Sequence, residues 1–421
     1  MKQIYLFMLL FFTIPFYSDA TDVIKKGETI NLKRCIQIAQ KNHPEIIAAK
    51  NKIDVNENRI SEAKSSYYPQ INGNIAYNRI SSGKITNNSS NQYTSSVNLN
   101  QNLYDFNKTD LQVRIQKLNR DVSSYDFERV LDQVIFNVKQ SYYGFLQAKR
   151  NNDVAKESIN QFEQHLEQAQ GFFKVGVKPK FDVTKAQVDL GTARLNFIKT
   201  ANALKTAKIK LDNSMGIINP SDYEIEDNLY FEKYAITLEE AINIAYKKRS
   251  DLKSIIFKKE VGNESIKLAK KAYYPVVSGN MSLGWGAEDF PLENSWNIGL
   301  AVSIPIFNGF LTINQIKEAN SNLKVLEANE EYLRQQIFLE IKQAYLNLQQ
   351  AEEAIQIAKL SVSQAEENLS LADNRYKTGA GSLLEVTDAE ISYSSAKKAY
   401  IQSLYDYKLA QANLEEAMSL K

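Results

Sequence analysis

The feature that most constrains the fold of this 421-residue chain is an internal duplication. Residues 30–74 align without a gap with residues 236–280, and the triplet Tyr67-Tyr68-Pro69 meets Tyr273-Tyr274-Pro275. Gapless agreement over such a length indicates a repeated structural unit. The chain is therefore expected to fold as two similar halves.

Both halves have the same order of predicted elements. A helix comes first, then two short strands around a polar loop, a very long helix, a glycine-containing turn and a helix of half length. The first repeat is expected over residues 21–212 and the second over residues 237–421. Residues 213–236, which contain Gly216 and Pro220, are expected to form an irregular equatorial segment between them. The strands are expected at about 70–79, 92–101, 276–286 and 295–304.

Residues 1–20 have the pattern of a secretory signal peptide. Lys2 supplies a positive charge, residues 4–14 are mostly apolar, and Ser18-Asp19-Ala20 provides small residues at a cleavage site. We expect cleavage after Ala20. The only cysteine, Cys35, follows two basic residues, which argues against lipid attachment.

The short segments alternate between apolar and polar residues, as Ile71, Ile75 and Tyr77 do with Asn72 and Asn74. This period predicts strands with two different faces. A half-buried sheet in a soluble domain is one interpretation. A membrane barrel is favoured because each segment has about 10 residues, its polar face is uncharged, and aromatic residues mark both ends. The aromatic residues are Tyr77, Tyr93, Trp285 and Trp296 at one end and Tyr67, Tyr68, Tyr104, Tyr273, Tyr274 and Phe307 at the other.

Four strands cannot close a membrane barrel, because the smallest closed barrels have about eight and lipid does not tolerate open edges. Several copies of the chain must therefore contribute strands, and the protein is expected to be a homo-oligomer.

Two proline-free stretches, residues 107–175 and 312–378, have a helical pattern and would each be roughly 100 Å long. A sustained 4-3 spacing of apolar residues in the second predicts coiled-coil packing. Half-length helices are expected at 31–66, 181–212, 237–272 and 382–419. The seam of the second long helix consists of Ile337, Ile341, Ala344, Leu348, Ala351, Ile355, Ala358, Val362, Ala365, Leu369, Ala372 and Tyr376.

Residue types that carry chemistry are scarce. The formal net charge of +2 argues against nucleic acid as a partner. The two histidines are far apart: His43 precedes Pro44 at an expected helix boundary, and His165 is expected to be solvated. No metal-ligand spacing, phosphate loop or nucleophile motif occurs. The sequence therefore predicts no enzyme, no cofactor and no bound metal.

The turns after the long helices share the pattern aromatic-x-x-Gly-x-x-x-x-x-acid-Val, at residues 173–183 and 376–386. Together with the two Tyr-Tyr-Pro triplets and the segment Pro305-Ile306-Phe307-Asn308-Gly309, this pattern resembles the TolC-like outer membrane efflux protein family. The resemblance extends over about residues 28–419. It implies a mainly α fold with a membrane β-barrel part, in which three chains form a channel-tunnel with four strands plus long coiled-coil helices per chain.

The same resemblance implies a function and partners. The protein would be the outer-membrane exit duct of a tripartite efflux or type I secretion system in a Gram-negative cell. It would extend from outer-membrane lipid into the periplasm, where a periplasmic adaptor (membrane fusion) protein would connect it to an inner-membrane pump or ABC exporter. A non-pore periplasmic coiled-coil adaptor or structural protein is the alternative interpretation, and it would not need the strands.

By position, the resemblance also implies roles for residues of the two turns. Glu385 and Asp388 would line the pore aperture, and Asp182 and Tyr376 would belong to the lock that holds it shut. The arginine of the family's lock falls at Gly381 here, and Lys178, Lys180 and Arg375 are the nearby candidates to replace it. The adaptor would dock on Val175, Gly176, Val177, Thr378, Gly379 and Ala380.

Overall fold

The computed structural model describes residues 24–81, 89–218, 220 and 222–420. The predicted signal peptide, residues 1–20, lies outside the described residues. The first half of the chain contains β1 (Thr29–Ile30), α1 (Leu32–Asn42), α2 (Pro44–Lys64), β2 (Gln70–Ser81), β3 (Ser89–Tyr104), α3 (Lys108–Lys174), α4 (Lys180–Ser214) and β4 (Glu224–Ile225). The second half contains α5 (Leu238–Lys248), α6 (Ser250–Lys270), β5 (Val276–Ala287), β6 (Glu293–Ser303), α7 (Leu311–Lys377) and α8 (Leu383–Ala417).

The four long strands form one antiparallel sheet in the order β2-β3-β5-β6. Its register places Ile71 beside Leu99, Leu99 beside Met281, and Met281 beside Ile298. One face of the sheet is therefore a continuous apolar surface, and much of it is exposed in the single chain: Ile75 is 85% exposed and Leu300 is 77% exposed. The alternation seen in the sequence thus becomes one apolar face across all four strands.

The opposite face of the sheet is polar and carries amide and hydroxyl groups. The register places Asn72, Asn98, Ser282 and Asn297 in one row across the four strands. The hydroxyl of Ser282 donates to Asn98 Oδ1 at 2.7 Å, so neighbouring strands are linked on this face by side chains as well as by the backbone. A face of this kind can be wetted by water without carrying a net charge.

Aromatic rings cluster at the two ends of the sheet, as the sequence indicates. Near the loops, the ring centroids of Tyr77 and Tyr93 are 5.1 Å apart. At the end that leads into the helices, Phe106 lies between Tyr104 and Tyr274, with centroid distances of 4.6 and 5.3 Å. Two aromatic belts at the ends of a sheet with an apolar outer face are typical of strands that span a membrane.

The two long helices, α3 and α7, have 67 residues each, which corresponds to about 100 Å. The half-length helices α4 and α8 run back along them from the turns, and α2 and α6 pack on their other halves, beside the sheet. The predicted seam of α7 faces these helices: Ile337, Leu348 and Tyr376 are buried within it. Within the part of the chain that the structure describes, no helix is apolar over a length sufficient to cross a membrane.

The helix that opens each half is divided in two. The sequence predicts one helix over 31–66, with a boundary at His43, and one helix over 237–272 without a break. In the first half the break falls at His43, which has an extended backbone because Pro44 follows it. In the second half no proline is present, and the break falls at Arg249. The side chain of Arg249 is 1% exposed and is held by Asp251 and Glu340.

The largest core lies at the waist, where both halves of the chain meet. The short strands β1 and β4 pair in parallel there, which ties the equatorial segment to the N-terminal region. The segment also contacts the helices: the hydroxyl of Tyr142 donates to the carbonyl of Glu226 at 2.7 Å, and that of Tyr407 donates to the carbonyl of Glu232 at 2.9 Å. The described residues between 213 and 236 thus contact the helices at the waist, although most of them lack regular structure.

Candidate functional site

The candidate site is formed by the two turns that end α3 and α7, which we call the tip turns (residues 173–182 and 376–388). In the first turn Gly176 has φ +75° and closes a Schellman motif, in which Val177 N–H donates to the carbonyl of Phe172 at 2.9 Å. In the second turn Gly379 has φ +79° and its N–H donates to the carbonyl of Tyr376 at 3.0 Å. Glycine is the residue that adopts this backbone without strain.

Helices α3 and α4 form one hairpin, and α7 and α8 form a second one. The predicted lock residue Asp182 lies in the first hairpin, and Tyr376 lies in the second. Tyr376 is 0% exposed and packs edge-on against Phe172, with ring centroids 5.5 Å apart. Its hydroxyl makes no hydrogen bond to any described residue. Burial, and then the nearby charge of Asp182, raise the pKa of Tyr376 to about 12, so the phenol stays protonated. The two residues are therefore neighbours, although no direct hydrogen bond joins them.

Gly381, where the family's lock has an arginine, leaves little room for a side chain. A Cβ atom there would stand 3.0 Å from Arg375 Cβ and 3.1 Å from the backbone nitrogen of Tyr376. The backbone carbonyl of Gly381 instead accepts a hydrogen bond from Lys178 Nζ at 3.0 Å. The same ammonium lies 5.7 Å from the centroid of the Tyr376 ring. Of the three candidate cations, Lys178 is thus the one that links the two turns.

The predicted aperture residues Glu385 and Asp388 are both exposed and lie one turn apart at the start of α8. Ser382 caps this helix by accepting from the Glu385 N–H at 3.3 Å. The carboxylate of Glu385 is 3.4 Å from Arg375 Nε, and both side chains are about half exposed. Asp388 has no such cation beside it among the ion pairs of the described residues. The two acids therefore present different amounts of uncompensated charge.

The six predicted docking residues are all exposed at the ends of the two hairpins. The first turn is the more apolar one: Val175 is 72% exposed, Val177 59% and Phe181 72%. The second turn offers only small side chains at Thr378, Gly379 and Ala380. Phe181 was not among the predicted docking residues, although its place directly after the polar segment Lys178-Pro179-Lys180 made its exposure readable from the sequence.

His165 is buried, and the expectation that it is solvated was wrong. It is 4% exposed, and neither ring nitrogen has a hydrogen-bond partner among the described residues. Phe162 and Ala169 precede and follow it by about one turn on the same face of α3, so the helical spacing places all three in the core between the hairpins. Burial lowers the pKa of His165, and Asp373 on α7 partly opposes this shift.

Comparison with known proteins gives the chain a family. The sequence profile described as "Outer membrane efflux protein" matches residues 35–217 and 241–419, that is, both repeats. The outer membrane protein TolC of Escherichia coli K12 is 22% identical over 415 residues, which covers 92% of this chain and 82% of TolC. The cation efflux system protein CusC of the same strain is 22% identical over 389 residues, with 86% of this chain and 81% of CusC covered.

Solved structures share the fold. The Campylobacter jejuni CmeC outer membrane channel superposes with a TM-score of 0.78 at 20% identity, covering 92% of this chain and 85% of that one. A CusC structure gives a TM-score of 0.80 at 18% identity, covering 95% and 96%. Both repeats, the four-stranded sheet and the two long hairpins are therefore accounted for by one family, and the chain belongs to the outer membrane efflux protein family.

Proposed function

We propose that this protein is the outer-membrane exit duct through which a tripartite efflux or type I secretion system releases its substrates. The observation that carries the proposal is the sheet, which has one apolar face, one polar face rich in amide and hydroxyl groups, and aromatic belts at both ends. Joined to helices of about 100 Å, such a sheet can line a pore in lipid and continue it into the periplasm. A non-pore adaptor or rod would not need such a sheet, so the sheet argues against this alternative.

The duct requires several copies of the chain. Within the described residues, β2 and β6 each pair with one strand only, and lipid does not tolerate such edges. Besides the unpaired strand edges, an exposed apolar stripe on α7 supports assembly. Its residues recur at seven-residue intervals on the solvent face of the helix and are interrupted by Glu353. We propose three copies, as in the family resemblance, which gives a barrel of twelve strands. The exposed stripe consists of Val325, Tyr332, Leu339, Leu346 and Leu360.

The oligomer is tested by native mass spectrometry of protein extracted from outer membranes in mild detergent. The proposal expects a mass of three mature chains, and it expects extraction to require detergent. A protein that appears in the soluble periplasmic fraction as a monomer would exclude the duct and leave the rod as the better interpretation.

We further propose that Glu385 and Asp388 form rings of carboxylates at the narrowest point of the trimer. Rings of acids attract cations and repel anions. Because Arg375 lies beside Glu385, the uncompensated charge is greater at Asp388. We therefore expect Asp388→Asn to reduce cation selectivity in planar bilayers more than Glu385→Gln does, and the double variant to reduce it most.

A matched control for these variants is Glu366→Gln with Glu367→Gln, which removes the same charge from an exposed part of α7 farther from the turn. This control should leave selectivity unchanged. If the double aperture variant assembles normally and keeps its selectivity, the two acids serve only the first turn of α8, where the helix dipole favours them.

Lys178 is proposed to hold the aperture closed in place of the missing arginine, together with Tyr376 and Asp182. A hydrogen bond from a charged donor contributes about 1 kcal/mol or more when partly shielded from water. Lys178→Met should therefore raise the ratio of open to closed channels by about fivefold, measured as open probability in planar bilayers. Lys180→Met is the matched control, since Lys180 is exposed, and equal effects of the two variants would remove Lys178 from the lock.

The exposed tip turns are proposed to receive the periplasmic adaptor. Three side chains of the first turn, Val175, Val177 and Phe181, provide the exposed apolar surface. In the second turn, the small residues Thr378, Gly379 and Ala380 would let the adaptor approach the backbone closely. Through this contact the duct would be connected to an inner-membrane pump or ABC exporter. Transport rather than catalysis is the function that fits a member of this family.

A further inference from the structure

A buried carboxylic acid lies between the two hairpins, about two turns after the start of α8 at Leu383. Glu390 of α8 is 1% exposed and faces α3. Ser394 donates to its Oε1 at 3.5 Å, and its Oε2 makes no hydrogen bond that the described residues supply. An ionised carboxylate in such a place is poorly solvated and weakly compensated.

The groups that face Glu390 from α3 and α8 compensate its charge only weakly. Glu157 approaches from α3 with the same sign. The nearest cation, Lys397, is bound to Glu157 at 2.6 Å rather than to Glu390. Ser158 of α3 is the remaining polar neighbour. Lys397 therefore acts on both acids, but it forms an ion pair only with Glu157.

The other two helices contribute acids that are already paired. On α4, Asp189 forms an ion pair with Lys185 and accepts a hydrogen bond from Thr387 at 3.1 Å. On α7, Asp373 is paired with Lys377 and lies nearer to the turn. A cleft of about 300 Å³ between the hairpins is lined by residues that include Ser158, Asp189 and Ser394. Lys199 of α4 and Lys398 of α8 also line it, but it is Lys397 that acts on the charge of Glu390. The cleft brings solvent up to the two serines that flank the buried acid, so protons can reach the site.

We propose that protonation of Glu390 controls how tightly α8 packs on α3, and so makes closure of the tip depend on pH. The inference rests on the proposed role of the tip as the channel entrance. In the protonated form the acid is neutral and can remain buried between the helices. In the ionised form it repels Glu157 and requires water, which favours separation of the second hairpin from the first.

The direction of the effect follows from linkage. Burial, and next the charge of Glu157, raise the pKa of Glu390 to about 7 from an ordinary value of 4.5. The packed state therefore binds a proton that the loosened state releases, and low pH favours packing. This advantage is fully present below about 4.5 and is lost as the pH rises through 7. His165 acts in the opposite sense, because burial lowers its pKa and acid would drive a proton onto it.

The test measures the distance between the two helices directly. Spin labels are placed at Lys156→Cys on α3 and Ser392→Cys on α8, both exposed, in a Cys35→Ala background. Labelled chains are diluted with unlabelled ones in the assembled protein. Pulsed electron paramagnetic resonance should show a longer-distance population whose ratio to the packed one rises about thirtyfold between pH 5.5 and pH 8.5. The midpoint of this rise should lie below pH 7, with little further change above about pH 7.5.

Three variants distinguish the effect of Glu390 titration from the effects of other titrating groups. Glu390→Gln should keep the packed distance at every pH, and Glu157→Gln should shift the midpoint to lower pH because it frees Lys397. His165→Gln should leave the midpoint where it is in the wild-type protein. A wild-type protein without pH dependence, or a Glu390→Gln variant with the wild-type response, would overturn the proposal.

Conductance recorded on the same preparations keeps this inference distinct from the proposed function. A conducting trimer without the pH response overturns only the role of Glu390. A non-conducting protein that shows the response overturns the exit duct and leaves the pH-dependent packing of the hairpins supported.

Discussion

Replacement of Leu348 by Asp is expected to abolish the assembled protein. Leu348 is 4% exposed and packs in the waist core with residues of α7 and α8 such as Ile341 and Leu404. The substitution removes a buried aliphatic side chain and leaves a charge without a partner, which together cost at least about 4 kcal/mol. We expect loss of the trimer band in native gels and accumulation of unassembled chain.

The matched control is Lys359→Glu, which inverts a charge on an exposed position of the same helix. It should leave assembly intact, because surface substitutions of this kind usually change stability by less than about 0.5 kcal/mol. Equal loss of trimer in both variants would show that the seam of α7 is not what holds the hairpin together.

The second large effect is expected at Arg249, the buried residue where α5 and α6 meet. Its guanidinium binds Asp251 through two nitrogens, at 3.0 and 2.6 Å, and contacts Glu340 at 2.5 Å and the carbonyl of Ala417 at 3.3 Å. It thus connects the helix break to α7 and to the end of α8. Arg249→Met removes the shared cation from two carboxylates and a carbonyl, at a cost of about 3 kcal/mol.

Arg150→Met provides the comparison, since Arg150 also binds a carboxylate, that of Asp227, but at a partly exposed position. Its loss should cost less than about 1 kcal/mol. The urea midpoint of helical circular dichroism, measured in detergent, should therefore fall clearly for Arg249→Met and little for Arg150→Met. Similar midpoints for the two variants would mean that Arg249 has no special role at the waist.

Much of the fold is readable from the sequence because its signals are local and repeated. The alternation around Ile71 and Ile298 predicts strands, and a period of two leaves one way to place all apolar residues on one face. The 4-3 spacing around Leu348 likewise predicts the buried seam of α7. The break before Pro44 was also readable, since a residue before proline is disfavoured in a helix.

Other features depend on contacts between distant parts of the chain. The break at Arg249 has no local signal, because the side chains that hold Arg249 include Glu340 from another helix. Glu390 resembles the other acids of α8 in sequence, and only the packing of α3 against α8 makes it buried. Gly381 could be identified as a departure from the family, but its tight fit against Arg375 and the lysine bond to its carbonyl could not.

The central claim, that copies of this chain enclose a pore, is tested most directly by single-channel recording of the purified oligomer in planar lipid bilayers. The account predicts discrete, small, cation-selective currents in the wild-type protein, since Lys178 and the buried Tyr376 are proposed to hold the tip closed. It predicts that the same protein carrying Lys178→Met conducts more often. A correctly assembled trimer that inserts into the bilayer and passes no current in either form would contradict it.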